Sequence, residues 1–109
     1  RIFLDRDLVV LELRGSLDNT SSRSLAQVLE RLANRKERRV VLDLQHLDYI
    51  SSAGIGQIIA CKGSLDIRIA RPSSQVRDTL GLVGVDSLFA IHPSLEKAVD
   101  SFQDSPAPK

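Results

Sequence analysis

Apolar residues along this chain fall into two alternating rhythms, one typical of strands and one of helices. Ile2, Phe3 and Leu4 predict a short strand, Asp5-Arg6-Asp7 a tight turn, and Leu8–Leu13 a second strand, together an opening hairpin. Gly15 breaks that pattern. Asp18 or Asn19 then caps a helix whose apolar face is Leu25, Val28, Leu29 and Leu32 and which ends near Asn34. Val40, Val41, Leu42 and Leu44 form a nearly continuous β-branched and aliphatic run, the signature of a strand covered on both faces and therefore central in its sheet. Asp43 interrupts the run, and Gln45, His46 and Asp48 are expected to carry the chain out of the sheet before Tyr49 and Ile50 restore apolar character.

A second helix is predicted from Ser52, with apolar positions at Ile55, Ile58, Ile59 and more weakly Cys61, about three turns long, stopped by Gly63. Leu65, Ile67 and Ile69 alternate with Asp66 and Arg68 as a half-buried strand does. Pro72 and Ser73 open a third helix on Val76, Leu80 and Val83, with Gly84 as its stop, and Leu88–Ile91 is the last short strand. Pro93 and Ser94 open a fourth helix that turns Leu95, Ala98, Val99 and Phe102 inward. Strands alternating with helices after one hairpin predict an α/β domain with a mixed, mostly parallel central sheet and about four helices. The domain is expected over residues 1–103, with a disordered polar tail at 104–109.

At 109 residues the chain holds one core, and folding removes about two-thirds of the unfolded surface from water. A net charge of +1 provides no electrostatic footprint for nucleic acid. The basic cluster Arg31, Arg35, Lys36, Arg38 and Arg39 reads as cations placed at a helix C-terminus. One cysteine, Cys61, excludes an internal disulfide framework, fits a reducing cytoplasm and is expected to pack as a small hydrophobe. No apolar run approaches the roughly 18 residues of a membrane span, so neither membrane insertion nor direct nucleic-acid binding is expected.

The chemistry-bearing residues are sparse. Ser52 with His46 or His92 as base lacks the G-x-S-x-G elbow of a hydrolase, so no catalytic residues are assigned. Two histidines and one cysteine lack metal-ligand spacing, and neither a metal nor a cofactor is expected. Gly54 and Gly56 form only part of a phosphate-cradling glycine pattern, and their simpler use is to keep the surface beside Ser52 low. Ser52 by itself reads as a helix N-cap.

The segment Leu42-Asp43-Leu44 followed by Ile50-Ser51-Ser52-Ala53-Gly54-Ile55-Gly56 resembles the STAS domain of the anti-sigma factor antagonist family, which has a buried strand ending in an acidic residue and then D-S-S-G-L-G or I-S-S-A-G-L. Gly15-Ser16-Leu17-Asp18 is similar to the family's G-x-L-D before the first helix, and Arg71–Arg77 with Gly84–Phe89 to its third helix and last strand. The resemblance covers about residues 2–102. It implies the STAS fold, phosphorylation at Ser52 with Ser51 as second choice, and a partner surface of Asp18, Ser51, Ala53, Gly54 and Gly56, with Asp18 near the phosphorylated serine. It also implies an anti-sigma factor or serine kinase of the ATP-binding type as partner, and a serine phosphatase.

Two departures stand out. Ser51 occupies a position where many family members have aspartate, and only Lys62, Gly63 and Ser64 separate Cys61 from the next strand, fewer than usual, which puts the last turn of helix two in question. A phospho-regulated interaction switch is expected to bind its partner when Ser52 is free and release it when Ser52 is phosphorylated. The alternative is a STAS domain within a larger assembly: a transporter's cytoplasmic domain, a stressosome-like complex or a lipid-trafficking complex. The intact serine favours the switch.

Overall fold

The computed structural model describes residues 2–5, 8–35 and 39–104. Its elements run β1 (Ile2–Asp5), β2 (Leu8–Leu17), α1 (Asn19–Asn34), β3 (Arg39–Ile50), α2 (Ser52–Ala60), β4 (Asp66–Ala70), α3 (Ser74–Leu82), a short 3-10 turn (Val85–Ser87), β5 (Ala90–His92) and α4 (Leu95–Asp104). The strands form one sheet in chain order, β1-β2-β3-β4-β5. β1 pairs antiparallel with β2, and every other pairing is parallel. β3 is the middle strand, as its continuous apolar run predicts. Val40, Leu42 and Leu44 face the larger core with α1, α2 and α3, while Val41 faces a smaller one completed by Ala98 and Phe102 of α4. Leu29 and Leu32 of α1 are fully buried; burying such a side chain contributes about 1.5–3 kcal/mol.

The long strands depart from the sequence reading. β2 does not end at Leu13 but continues through Gly15 to Leu17, and β3 does not leave the sheet after Leu44 but continues to Ile50. The register explains why. Glu12 pairs with Asp43 but Arg14 with His46, and Gly15 pairs with Leu47 but Ser16 with Tyr49, so β3 holds an extra residue at each of two irregularities. Buried positions Leu44, Leu47 and Ile50 are therefore spaced by three, and the period-two pattern of a strand is lost. Gln45, His46 and Asp48 are polar because they are exposed, not because the strand has ended. Gly15 takes the left-handed conformation, φ +72°, at one of these irregularities.

β4 stops at Ala70, opposite Asp43, so β2 and β3 run on beyond it as a two-stranded ribbon. Asp43 lies at the base of that ribbon, 2% exposed, and is held by Arg71: the guanidinium donates from Nε to Oδ1 at 3.0 Å and from its terminal nitrogen to Oδ2 at 2.7 Å. The bond to Asp43 raises the Arg71 pKa further, with the nearby Glu12 carboxylate adding to it. Arg71 takes φ +43°, and its own N–H donates to the carbonyl of His92 at 2.9 Å.

Smaller differences follow the same logic. Gly63 does not stop α2 in a left-handed conformation; the helix ends at Cys61 with φ −90° and ψ −1°. α2 keeps nine residues, about two and a half turns at 3.6 residues each, despite the short connection. Gly84 does supply the left-handed stop after α3, at φ +79°. The last strand is shifted to Ala90–His92, because the 3-10 turn takes up the chain before it and leaves Leu88 exposed. Ser94 Oγ accepts from Lys97 N–H at the start of α4, as a cap there requires. Arg31 lies in the last turn of α1 and Arg35 is its C-cap residue, while Arg39 begins β3. Lys36, Arg38 and Arg6 and Asp7 of the predicted turn lie outside the described residues, as do residues 105–109 of the predicted tail, whereas its first residue, Asp104, is helical and closes α4.

Candidate functional site

The ribbon ends where two helices begin. Leu17 and Ile50 are register partners, so Asp18 and Ser51 leave the parallel strands side by side. The junction is closed by a backbone bond: Ser51 N–H donates to Leu17 carbonyl oxygen at 2.8 Å. Carboxyl ends of parallel strands followed by helix N-termini concentrate unpaired N–H groups, which makes them frequent binding sites.

Asp18 is the N-cap of α1. Its Oδ1 accepts from the N–H groups of Thr20 and Ser21, both at 3.0 Å, and Ser21 Oγ accepts from the Asp18 N–H at 2.8 Å, a reciprocal capping box. Those bonds, led by Ser21, lower the Asp18 pKa below its ordinary value. Ser22 is buried and donates its hydroxyl to the Asp18 carbonyl. The carboxylate is therefore fixed and charged while remaining solvent-exposed.

The cap of α2 is Ser51, not Ser52. Ser51 Oγ accepts from Gly54 N–H at 3.1 Å with extended backbone angles. Serine and aspartate are both strong N-caps, so Ser51 supplies the capping chemistry an aspartate would supply there. Ser52 is the first helical residue, exposed, and among the described residues its hydroxyl has no hydrogen-bond partner. The N–H groups of Ser52 and Ala53 belong to the unpaired set that opens a helix.

Gly54 has a different use from the one expected. It is buried, and a Cβ there would stand 2.7 Å from Leu17 Cδ2 and 2.8 Å from Cγ, so glycine is what lets α2 lie against the end of β2. Gly56 is exposed with open space around it, as a low surface requires. Tyr49 was not foreseen as part of the site. It pairs in register with Ser16, faces away from the buried Leu17 and Ile50, and is 51% exposed. A lone aromatic before a buried isoleucine reads as core in the sequence, and only the irregularity in β3 turns it outward.

The histidines take no part in this corner by hydrogen bonding. His46 is exposed on the ribbon, and His92 sits at the end of β5, its pKa lowered first by burial and then by Arg68 and Lys97. Cys61 is half-buried against the main core, with its thiol pKa raised by burial. Among the described residues no three metal-ligating side chains cluster, and no helix is long and apolar enough to cross a membrane.

The sequence profile of the STAS domain matches residues 4–98. BtrV of Bordetella bronchiseptica, assigned by name as an anti-sigma factor antagonist, is 30% identical over 101 residues, spanning 88% of this chain and 87% of BtrV. The chain belongs to the STAS domain family. Among solved structures, the anti-sigma factor antagonist SpoIIAA in its unphosphorylated form superposes with a TM-score of 0.82 at 18% identity, covering 94% of this chain and 93% of that one. SpoIIAA of Bacillus in its phosphorylated form gives 0.72 at 18% identity, over 93% and 96%. The STAS domain of a SulP transporter from Vibrio cholerae gives 0.69 at 19% identity, over 93% and 84%. At these identities the structures show a shared fold.

Proposed function

We propose that this STAS domain is an anti-sigma factor antagonist, a non-catalytic switch that binds an anti-sigma factor or serine kinase of the ATP-binding type when Ser52 is free and releases it when Ser52 is phosphorylated. The observation that carries the reading is the division of labour between two adjacent serines. Ser51 is committed to capping α2, while Ser52 presents an exposed, unbonded hydroxyl one residue later. A kinase then finds one acceptor. Phosphorylation adds about −1.5 to −2 charge at a helix start, where the dipole tolerates it, so the fold survives modification.

The surface changes instead. A partner fitted to a neutral hydroxyl among Ser52, Ala53, Gly56, Asp18 and Tyr49 meets a dianion beside an ionised carboxylate. Burying that charge without a matching cation costs several kcal/mol. A serine phosphatase resets the switch. BtrV and SpoIIAA, both named as antagonists, support this reading, and SpoIIAA exists in both phosphorylation states. The transporter STAS domain is the observation on the side of a role within a larger assembly, and its superposition is the poorer one.

The test is calorimetric binding of wild type, Ser52→Ala and Ser52→Asp to the cognate ATP-binding anti-sigma kinase of the same genome. Ser52→Ala should bind as wild type does and resist phosphorylation, while Ser52→Asp should bind more weakly with an unchanged melting temperature. Equal affinities for all three contradict the switch and favour the assembly role.

A further inference from the structure

Strands β2 to β5 run parallel, and Leu8, Arg39 and Asp66 are register partners where β2, β3 and β4 start. The ends of α1, α2 and α3 therefore return the chain to one pole of the domain, at the other end of α2 from Ser52. Two kinds of residue gather at this pole. Leu82 in the last turn of α3, Val83 at its C-cap and Leu88 after the 3-10 turn are 88%, 52% and 42% exposed. Arg31 in the last turn of α1, its C-cap Arg35, and Lys62 just past α2 are exposed cations, and none has an ion pair among the described residues. Lys62 and Leu88 border one cavity of about 410 Å³ where β4 and β5 start. Of the carboxylates nearby, Asp66 is paired with Arg68, while Glu30 beside Cys61 and Asp86 in the 3-10 turn are outnumbered by Arg31, Arg35, Lys62 and the half-buried Arg39. The acidic α4 packs on the opposite face of the sheet.

A single exposed leucine needs no explanation, but an exposed Leu-Val pair at the same pole as unpaired cations is an amphipathic surface. We propose that this pole docks on an anionic lipid surface: Leu82, Val83 and Leu88 enter the boundary between headgroups and acyl chains, and Arg31, Arg35 and Lys62 meet lipid phosphates. Two observations choose this occupant. Leu82 protrudes, and a protruding apolar tip suits a fluid surface that closes around it, whereas a folded partner needs a pocket shaped to receive it. The cations come from three separate elements, α1, the α1–β3 junction and the α2–β4 connection, and a lipid surface offers negative charge to all of them at once. Docking here holds the α2 end away from Ser52 against the lipid and leaves Ser52 facing outward. This inference stands whether or not Ser52 is the switch.

The test is flotation of the protein with unilamellar vesicles of phosphatidylcholine alone and of equal parts phosphatidylcholine and phosphatidylglycerol. Binding to the mixed vesicles should be at least about tenfold tighter than to phosphatidylcholine and should weaken as salt is raised. Leu82→Ser and Lys62→Glu change exposed side chains, should keep the melting temperature, and should each weaken binding about tenfold. Asp86→Asn removes a repelled carboxylate and should tighten it. Arg14→Glu, a charge reversal on the ribbon at the other pole, should leave binding unchanged. Absence of binding to the mixed vesicles, equal binding to both kinds, full binding by Leu82→Ser, or a loss in Arg14→Glu as large as in Lys62→Glu overturns the proposal. Self-association that grows with protein concentration without lipid and disappears in Leu82→Ser would assign the tip to a second copy. Saturable binding of an end-blocked leucine and glutamate peptide, with no binding to mixed vesicles, would assign it to an acidic protein segment. Either result also overturns it.

Discussion

Ser51 donates its backbone N–H to the carbonyl oxygen of Leu17 at 2.8 Å, and in the same corner Leu17 packs where a side chain on Gly54 would have to stand. One residue of β2 thus fixes both the start of α2 and its first turn. Asp18, the next residue, caps α1. The position of Ser52 relative to Asp18 is set by this joint rather than by any contact between the two side chains.

The two glycines after Ser52 should therefore respond in opposite directions. Gly54→Ala places a Cβ against Leu17 and should cost about 1–3 kcal/mol through overpacking. Gly56→Ala meets nothing within 4 Å in a helix and should stabilise by about 0.5–1 kcal/mol. Chemical denaturation of both variants checks the pair. If Gly56 also keeps the surface low for the partner, Gly56→Ala loses affinity while gaining stability.

Asp18 holds its cap through acceptor bonds that asparagine can also provide. Asp18→Asn should lower the melting temperature less than Asp18→Ala does, yet slow phosphorylation of Ser52 if the carboxylate takes part in kinase docking. Melting curves and initial phosphorylation rates measured on the same samples separate the roles. A large loss of stability in Asp18→Asn with normal phosphorylation would contradict both the cap and the docking role.

The Asp43–Arg71 pair predicts an asymmetry. Arg71→Ala leaves a carboxylate that is 2% exposed without its cation and should cost about 3–5 kcal/mol. Asp43→Ala leaves a guanidinium whose side chain is 33% exposed and can be hydrated, so its cost should be smaller. Urea unfolding of the two variants and the double variant reads the difference, and equal costs would mean that the carboxylate is hydrated in the variant.

His92 provides a pH test. Its folded pKa lies below the ordinary value of 6.5, chiefly from burial, and its Nε2 is buried without a hydrogen-bond partner among the described residues. The unfolded chain binds the proton more readily. Stability from this group is therefore complete above pH 6.5 and falls as pH drops toward the folded pKa. His92→Gln should flatten that part of the stability profile, measured by thermal melting across acidic and neutral buffers.

The sequence made the order of elements legible because each helix keeps one apolar stripe and β3 is apolar on both faces. Asp18 and Ser52 were singled out by the resemblance, and the register of the parallel strands brings Leu17 and Ile50, just before them, side by side. What stayed hidden has a common cause in β3. Its two extra residues spread Leu44, Leu47 and Ile50 to a spacing of three, which erased the strand signal, turned Tyr49 outward and concealed the ribbon. The capping role went to Ser51 instead of Ser52, since two consecutive serines offer the same chemistry and only the backbone decides between them. Arg71, 28 residues from Asp43, could be matched to it only once β3 and β4 were paired.

Ser52 as the switch is tested most directly by preparing the protein with one phosphate, locating it by mass spectrometry, and titrating both forms against the cognate ATP-binding anti-sigma kinase. The phosphate should lie on Ser52, and the modified form should bind at least about a hundredfold more weakly, or about 2.8 kcal/mol, with its melting temperature retained. Phosphate on another residue, or equal affinity of the two forms, would contradict the account.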